Sequence, residues 1–216
     1  LNDMKKLAFF VEGETEAEFV EKLIKEFVTP NRVLMNKPSR INGKNRDIMI
    51  TDIESKAEFY VNIIISGADN RVNDDIRNNI ASLSNADYNL IIALKDLRGK
   101  DHWHNMKLED LPKVKRSESR LYKQFNDCLD TFSIIAVMEI ETWFIGETNH
   151  YGKIYPEITK QKVLDNLDKI LDNVNPYECK LEEIEKPAET LDSIYKLGGK
   201  AYDTDKPLKT RQRTIN

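Results

Sequence analysis

Four carboxylates in this chain stand where short apolar runs end. Glu12 follows Leu7-Ala8-Phe9-Phe10-Val11, and Asp96 follows Leu90-Ile91-Ile92-Ala93-Leu94-Lys95. Glu139 and Glu141 come just after Phe132-Ser133-Ile134-Ile135-Ala136-Val137. If these runs are parallel strands joined by right-handed crossovers, their carboxyl ends share one sheet edge, where open α/β sheets bind ligands. Carboxylates gathered at such an edge repel one another unless a cation neutralises them or some stay protonated. All-oxygen ligation suits Mg2+ or Mn2+, which keep waters and accept phosphate oxygens from a substrate. The chemistry that follows is phosphoryl or phosphodiester transfer. No Walker-type glycine loop is present, which argues against an NTPase, and no Ser-His-Asp or Cys-His pattern stands out. His102 and His104, two apart and without cysteine partners, make a poor zinc site. The plainer alternative is that the acidic residues only begin helices or line βα turns, since Asp and Glu favour helix N-termini.

Strands alternating with helices must position these groups. The run at 7–11 reads as a strand buried on both faces. Gly13 lets the backbone turn after Glu12, and Phe19, Val20, Leu23, Ile24, Phe27 and Val28 then fall at helical spacings, with Thr15 and Glu18 spaced as a capping box. Glu14, Glu16 and Glu18 read as first-turn charges that complement the helix dipole. Residues 31–57 carry Lys37, Arg40, Lys44 and Arg46 in a basic loop or irregular hairpin, read as a solvated loop or a phosphate-contacting lip, with a candidate edge strand at 48–50. A strand at 59–65 precedes a helix with Val72, Ile76, Ile80 and Leu83 on one face, capped by Asp69 or Asn70. After the strand ending at Asp96 comes a polar excursion, then a helix from Ser117 with Leu121, Phe125, Cys128 and Leu129 on one face. Cys128 is thereby expected in the core. Trp143 and Phe144 also read as core. Farther on, Val163, Leu164, Leu167, Ile170, Leu171 and Val174 form a helical stripe. A short helix carries Leu191, Ile194 and Leu197, stopped by Gly198-Gly199, and a basic tail covers 206–213. The expected fold is a doubly wound, mainly parallel four-stranded α/β sheet over residues 5–147, with a helical C-terminal extension over 148–216.

The chain has 216 residues, 33 of them basic and 37 acidic, for a net charge of −4. That size suits one domain with an appendage, and the acidic balance is not that of a dedicated nucleic-acid-binding domain. No apolar run approaches the roughly 20 residues of a membrane span. Two lone cysteines, Cys128 and Cys179, read as reduced thiols of a cytoplasmic protein. Met4 reads as the natural start, with Leu1, Asn2 and Asp3 left from cloning.

The stretch Val11-Glu12-Gly13-Glu14-Thr15-Glu16 and the strand-end Asp96-Leu97-Arg98 resemble the first two motifs of a TOPRIM domain. That is the metal-binding fold of topoisomerases, primases and overcoming-lysogenization-defect nucleases. The block Ala136-Val137-Met138-Glu139-Ile140-Glu141-Thr142-Trp143-Phe144, with Lys186-Pro187 and Gly198-Gly199-Lys200-Ala201-Tyr202, further resembles an uncharacterised bacterial TOPRIM-like family. Members of that family often sit beside genes for AAA- or ABC-type ATPases in phage-defence neighbourhoods. The resemblance implies a Mg2+- or Mn2+-dependent nuclease acting on DNA or RNA with an ATPase partner. Its implied metal ligands are Glu12, Asp96, Glu139 and Glu141, with Glu12 as general acid or base. Arg98 stands where the second motif usually has Asp, so it either grips a phosphate or marks a non-catalytic interaction or nucleotide-sensing module. Lys95 and Lys100 are the further candidates for nucleic-acid contact, with solvent exposure as their plainer reading.

Overall fold

The structure is a computed structural model that describes residues 4–29, 32–36, 39–41, 44–46, 57–67, 69–97 and 108–202. The expectations on Lys37, Arg98, Lys100, residues 48–50 and 102–104 and the basic tail lie outside the described residues, as do the side chains of Arg40, Lys44 and Arg46. Among the described residues, one compact unit holds 4–95 and 110–135, and the other holds Asp96, Leu97, 108–109 and 136–202.

The first unit is built on a mainly parallel sheet of five strands, one more than expected. They are β1 (Lys5–Val11), β2 (Val33–Asn36), β5 (Phe59–Ile65), β6 (Leu90–Asp96) and β7 (Thr131–Ala136), in spatial order β2-β5-β1-β6-β7. The unexpected strand, β2, has only four residues, too short for a distinct period-2 pattern. It pairs in parallel with β5, from Val33 opposite Phe59 to Asn36 opposite Asn62. The basic stretch that follows contains an antiparallel hairpin, β3 (Ser39–Ile41) with β4 (Lys44–Arg46).

Three helices belong to this unit: α1 (Glu14–Phe27), α2 (Asp69–Asn85) and α3 (Leu111–Asn126). One sheet face presents Ala8, Phe10, Ile91 and Ala93 to the apolar stripe of α2 and to Tyr122 and Phe125 of α3. Each fully buried isoleucine or phenylalanine there stabilises the fold by about 1.5–3 kcal/mol. The chain runs from β1 one way to β2 and from β5 the other way to β6, and the right hand that such crossovers take as a rule puts α1 and α2 on opposite faces. The stripe read for α1 is narrower than expected. Ala17 and Val20 are buried, while Phe27 is 80% exposed. Helix α3 starts at Leu111 rather than Ser117, because Pro112 sits in its first turn with φ already set for a helix. It ends before Cys128, which is exposed rather than in the core.

The second unit is helical and irregular, with α4 (Glu141–Gly146), α5 (His150–Ile154), α6 (Lys160–Leu164) and α7 (Pro187–Lys196). The change of character expected near Glu147 lies inside it. The stripe from Val163 to Val174 is not one helix. It is α6 followed by 3-10 turns at Leu167–Lys169 and Leu171–Asn173. Asp172 and Asn173 take φ of 56° and 55°, a left-handed geometry that Asp and Asn tolerate and no α-helix continues through. Helix α7 is as expected, opening on Pro187 and carrying Leu191 and Ile194 inward. Among the described residues no helix is long and apolar enough to cross a membrane.

His150 sits in the aromatic core of this unit. Its Nδ1 contacts the Glu147 carbonyl, its Nε2 lies 2.7 Å from the Tyr195 hydroxyl, and its ring packs edge-on against Tyr151. Burial pushes its pKa below the ordinary 6.5, against a smaller upward pull from Glu147. The unfolded imidazole therefore binds its proton at higher pH than the folded one, and stability falls as pH drops through about 6.5. We expect the urea midpoint to fall more for wild type than for His150→Gln between about pH 7.5 and pH 5, with the two slopes equal above that window. Equal slopes throughout would show that His150 does not carry the acid sensitivity.

Candidate functional site

In the first unit the acidic turn after β1 is tied down by backbone bonds. The Val11 and Glu12 carbonyls accept from the Ser66 and Gly67 amides at 2.9 and 2.8 Å, so the exits of β1 and β5 are held together. Glu12 is only 8% exposed. Gly13 is extended, with φ −141° and ψ −171°, so it is not there for a left-handed turn. Its amide donates to the Glu16 carboxylate at 2.8 Å, and a Cβ on residue 13 would lie 3.1 Å from Glu16 Oε2. Glycine here makes room for that carboxylate. The helix thus starts at Glu14, one residue ahead of the expected Thr15 cap, and Glu16 is the residue that reaches back. Glu16 and Glu18 are buried at 7% and 4% exposure rather than solvated. Glu12 and Glu16 lie within one turn of the helix start, where the helix dipole favours negative charge.

The strand order adds a second property. The chain leaves β1 toward β2 on one side, and leaves β5 toward β6 on the other. Strands β1 and β6 are parallel neighbours, in register from Leu7 opposite Leu90 to Val11 opposite Leu94. The order of the sheet therefore reverses between them, and in open α/β sheets that reversal opens a crevice at the strand carboxyl ends. Glu12 is the first residue beyond β1 at this edge.

Lys95 is not where the sequence put it. It is buried rather than solvent-exposed. Its ammonium is buried and pairs with Glu118 of α3. It also donates to Asn73 Oδ1 at 3.2 Å and lies 5.6 Å from the centre of the Tyr122 ring. Tyr122 donates to the same Asn73 oxygen at 2.9 Å, and the Asn73 amide and Ser133 hydroxyl donate to Glu118 at 3.2 and 3.1 Å. Burial and the nearby Glu118 charge hold the Tyr122 hydroxyl far above its ordinary pKa, so it acts as a neutral donor. The sequence did contain a signal. Val114, Glu118, Tyr122 and Phe125 recur at inward-facing helical spacing, which placed a carboxylate on the buried face of α3.

The second unit holds the other three carboxylates. Asp96 closes β6, and the Leu97 amide continues the ladder to the Ala136 carbonyl at 2.8 Å. After β7 the chain turns through Met138, buried and at φ 71°, a left-handed conformation that costs a non-glycine residue about 1–3 kcal/mol. Thr142 clamps the turn. Its hydroxyl donates to the Glu139 carbonyl at 2.7 Å and accepts from the Glu139 amide at 3.4 Å. Glu141 is then the first residue of α4, half-buried, and its Oε1 accepts from the Tyr202 hydroxyl at 2.7 Å. Phe144 is buried as expected.

Among the described residues, no three His, Cys, Asp or Glu side chains gather as a preformed metal cage. A donor set made only of carboxylates fits Mg2+ or Mn2+ better than zinc, and Mg2+ is commonly held by one or two carboxylates with waters and substrate phosphates completing its shell. A family model described as a domain of unknown function (DUF4276) matches residues 11–212. No curated protein and no solved structure matches the chain.

Proposed function

The chain belongs to the DUF4276 family, and from that premise we propose that it is a TOPRIM-type, Mg2+- or Mn2+-dependent nuclease that hydrolyses phosphodiester bonds of DNA or RNA. It works in the cytoplasm as an effector in anti-phage defence, alongside an AAA- or ABC-type ATPase. The observation that carries this reading is the coincidence of the buried Glu12 with the point where the strand order reverses, beside β6.

In this reading the candidate cation ligands are Glu12 in the first unit and Asp96 with Glu139 or Glu141 in the second, each taken from its own place at a strand end. When bound, the cation supplies positive charge to the phosphoryl oxygens and acidifies a water. Glu12 takes the proton of the attacking water or returns one to the leaving oxygen, a role that needs a carboxylate screened from bulk solvent. Arg98 binds a nonbridging phosphate oxygen and offsets the charge that develops there, and Lys100 steadies the neighbouring backbone. Lys95 is left out of the nucleic-acid contacts, because its ammonium is engaged with Glu118. With a net charge of −4 the chain alone has little nonspecific affinity for nucleic acid, so the ATPase presents the strand. A second reading, a non-catalytic nucleotide-sensing module, draws on Arg98 in the place of the motif's second Asp.

The test is cleavage of labelled DNA and RNA in Mg2+ or Mn2+, with and without the neighbouring ATPase. We expect weak cleavage by the protein alone, a rise with the partner, and complete loss in EDTA. No cleavage in the full complex, together with no divalent-ion heat by calorimetry, would leave the sensing module as the better reading.

A further inference from the structure

The segment Gly198-Gly199-Lys200-Ala201-Tyr202 takes no part in the reaction proposed above, yet its geometry has a clear end product. Helix α7 stops when Gly199 turns left-handed at φ 72°, a conformation costly for any side chain. Gly198 is required for space, because a Cβ there would lie 2.9 Å from Ile158. The chain then doubles back along α7. The Tyr202 amide donates to Asp192 at 2.8 Å, and its ring, buried, packs edge-on against Tyr195 with centroids 5.9 Å apart. With backbone and ring both fixed, the hydroxyl is delivered to Glu141 Oε1 at 2.7 Å.

The Glu141 carboxylate is thus oriented by a rigid phenol. Glutamate has three side-chain rotors, and fixing them costs about 1–2 kcal/mol that a pre-set hydrogen bond offsets before any ligand arrives. One oxygen is engaged and the carboxylate plane is set. Carboxylates that bind cations are characteristically held in this way by an outer hydrogen bond.

We propose that Glu141 is a cation ligand of this unit, and that Tyr202 is its positioning residue. The inference rests on the metal-dependent reading above. The test is Mn2+ binding, followed by calorimetry and by electron paramagnetic resonance of free Mn2+, on wild type, Tyr202→Phe, Glu141→Gln and the Tyr202→Phe/Glu141→Gln double variant. Tyr202→Phe keeps the ring and removes only the hydroxyl. We expect it to weaken Mn2+ binding about 10- to 100-fold. Glu141→Gln should weaken binding at least as much, and adding Tyr202→Phe to it should change nothing further, because the hydroxyl acts only through that carboxylate. A purely structural Tyr202 would lower the melting temperature and leave Mn2+ affinity unchanged, which overturns the inference. If wild type itself binds no Mn2+, the metal-dependent reading fails and this inference fails with it. Binding by wild type with a neutral Tyr202→Phe sinks the inference alone.

Discussion

Glu12→Gln should reduce metal-dependent cleavage by a factor of about 10²–10⁴ or more, and the protein should keep its fold. Glutamine keeps the size and the hydrogen-bonding reach of glutamate, but its amide can neither accept the proton of a water nor offer a charged ligand to a cation. The stability half of the expectation follows from the backbone: the bonds from the Ser66 and Gly67 amides to the Val11 and Glu12 carbonyls hold the turn and do not depend on the Glu12 carboxylate. Asp96→Asn should be equally inactive. The measurement pairs single-turnover cleavage in Mn2+ with thermal unfolding of the same samples. A Glu12→Gln protein that keeps a tenth of the wild-type rate would remove Glu12 from the chemistry.

The largest effect on stability is expected at Lys95. Replacing it with methionine leaves the Glu118 carboxylate buried against Ser133 and the Asn73 amide with no cation, which typically costs about 3–5 kcal/mol. Glu118→Leu strands the ammonium in the same way. Lys95→Met combined with Glu118→Leu should recover most or all of that loss, because two apolar side chains need no desolvated charge to be compensated. Urea denaturation of the four proteins closes the cycle. If the double variant is as unstable as either single one, the pair is not an isolated buried ion pair, and its neighbours Asn73 and Tyr122 carry the energy instead.

Much of the fold was legible because it follows from local pattern. The run Leu7-Ala8-Phe9-Phe10-Val11 reads as a strand, with Ala8, Phe10 and Val11 buried and Leu7 and Phe9 only partly so, and the spacing of Val72, Ile76, Ile80 and Leu83 reads as one face of a helix. What escaped depends on distance along the chain or on single dihedral angles. Strand β2 is four residues long and has meaning only beside Phe59–Ile65. The stripe from Val163 to Val174 has helical spacing, but Asp172 and Asn173 break it through backbone angles that composition does not display. Lys95 reads as exposed until Glu118, twenty-three residues on, is found facing it. Of the candidate site, the strand-end positions of Glu12 and Asp96 were visible in the sequence. The contact of Tyr202 with Glu141 spans sixty-one residues and was not, although the Gly-Gly pair that creates it was.

The place of β1 in the sheet bears on how the chain must be made. Strand β1 is the central one of the sheet, and both of its neighbours, β5 and β6, come much later in the chain. Its most apolar residues, from Leu7 to Val11, have no sheet partner until Phe59–Ile65 has been translated, and they stay open on the other side until Leu90–Asp96 follows. Every contact that completes this strand is long-range, which slows folding and prolongs the exposure of a sticky segment. On the ribosome the acidic turn at Glu12, Glu14, Glu16 and Glu18 then has a second use. It places a block of negative charge directly after that segment, where charge discourages premature pairing between nascent chains.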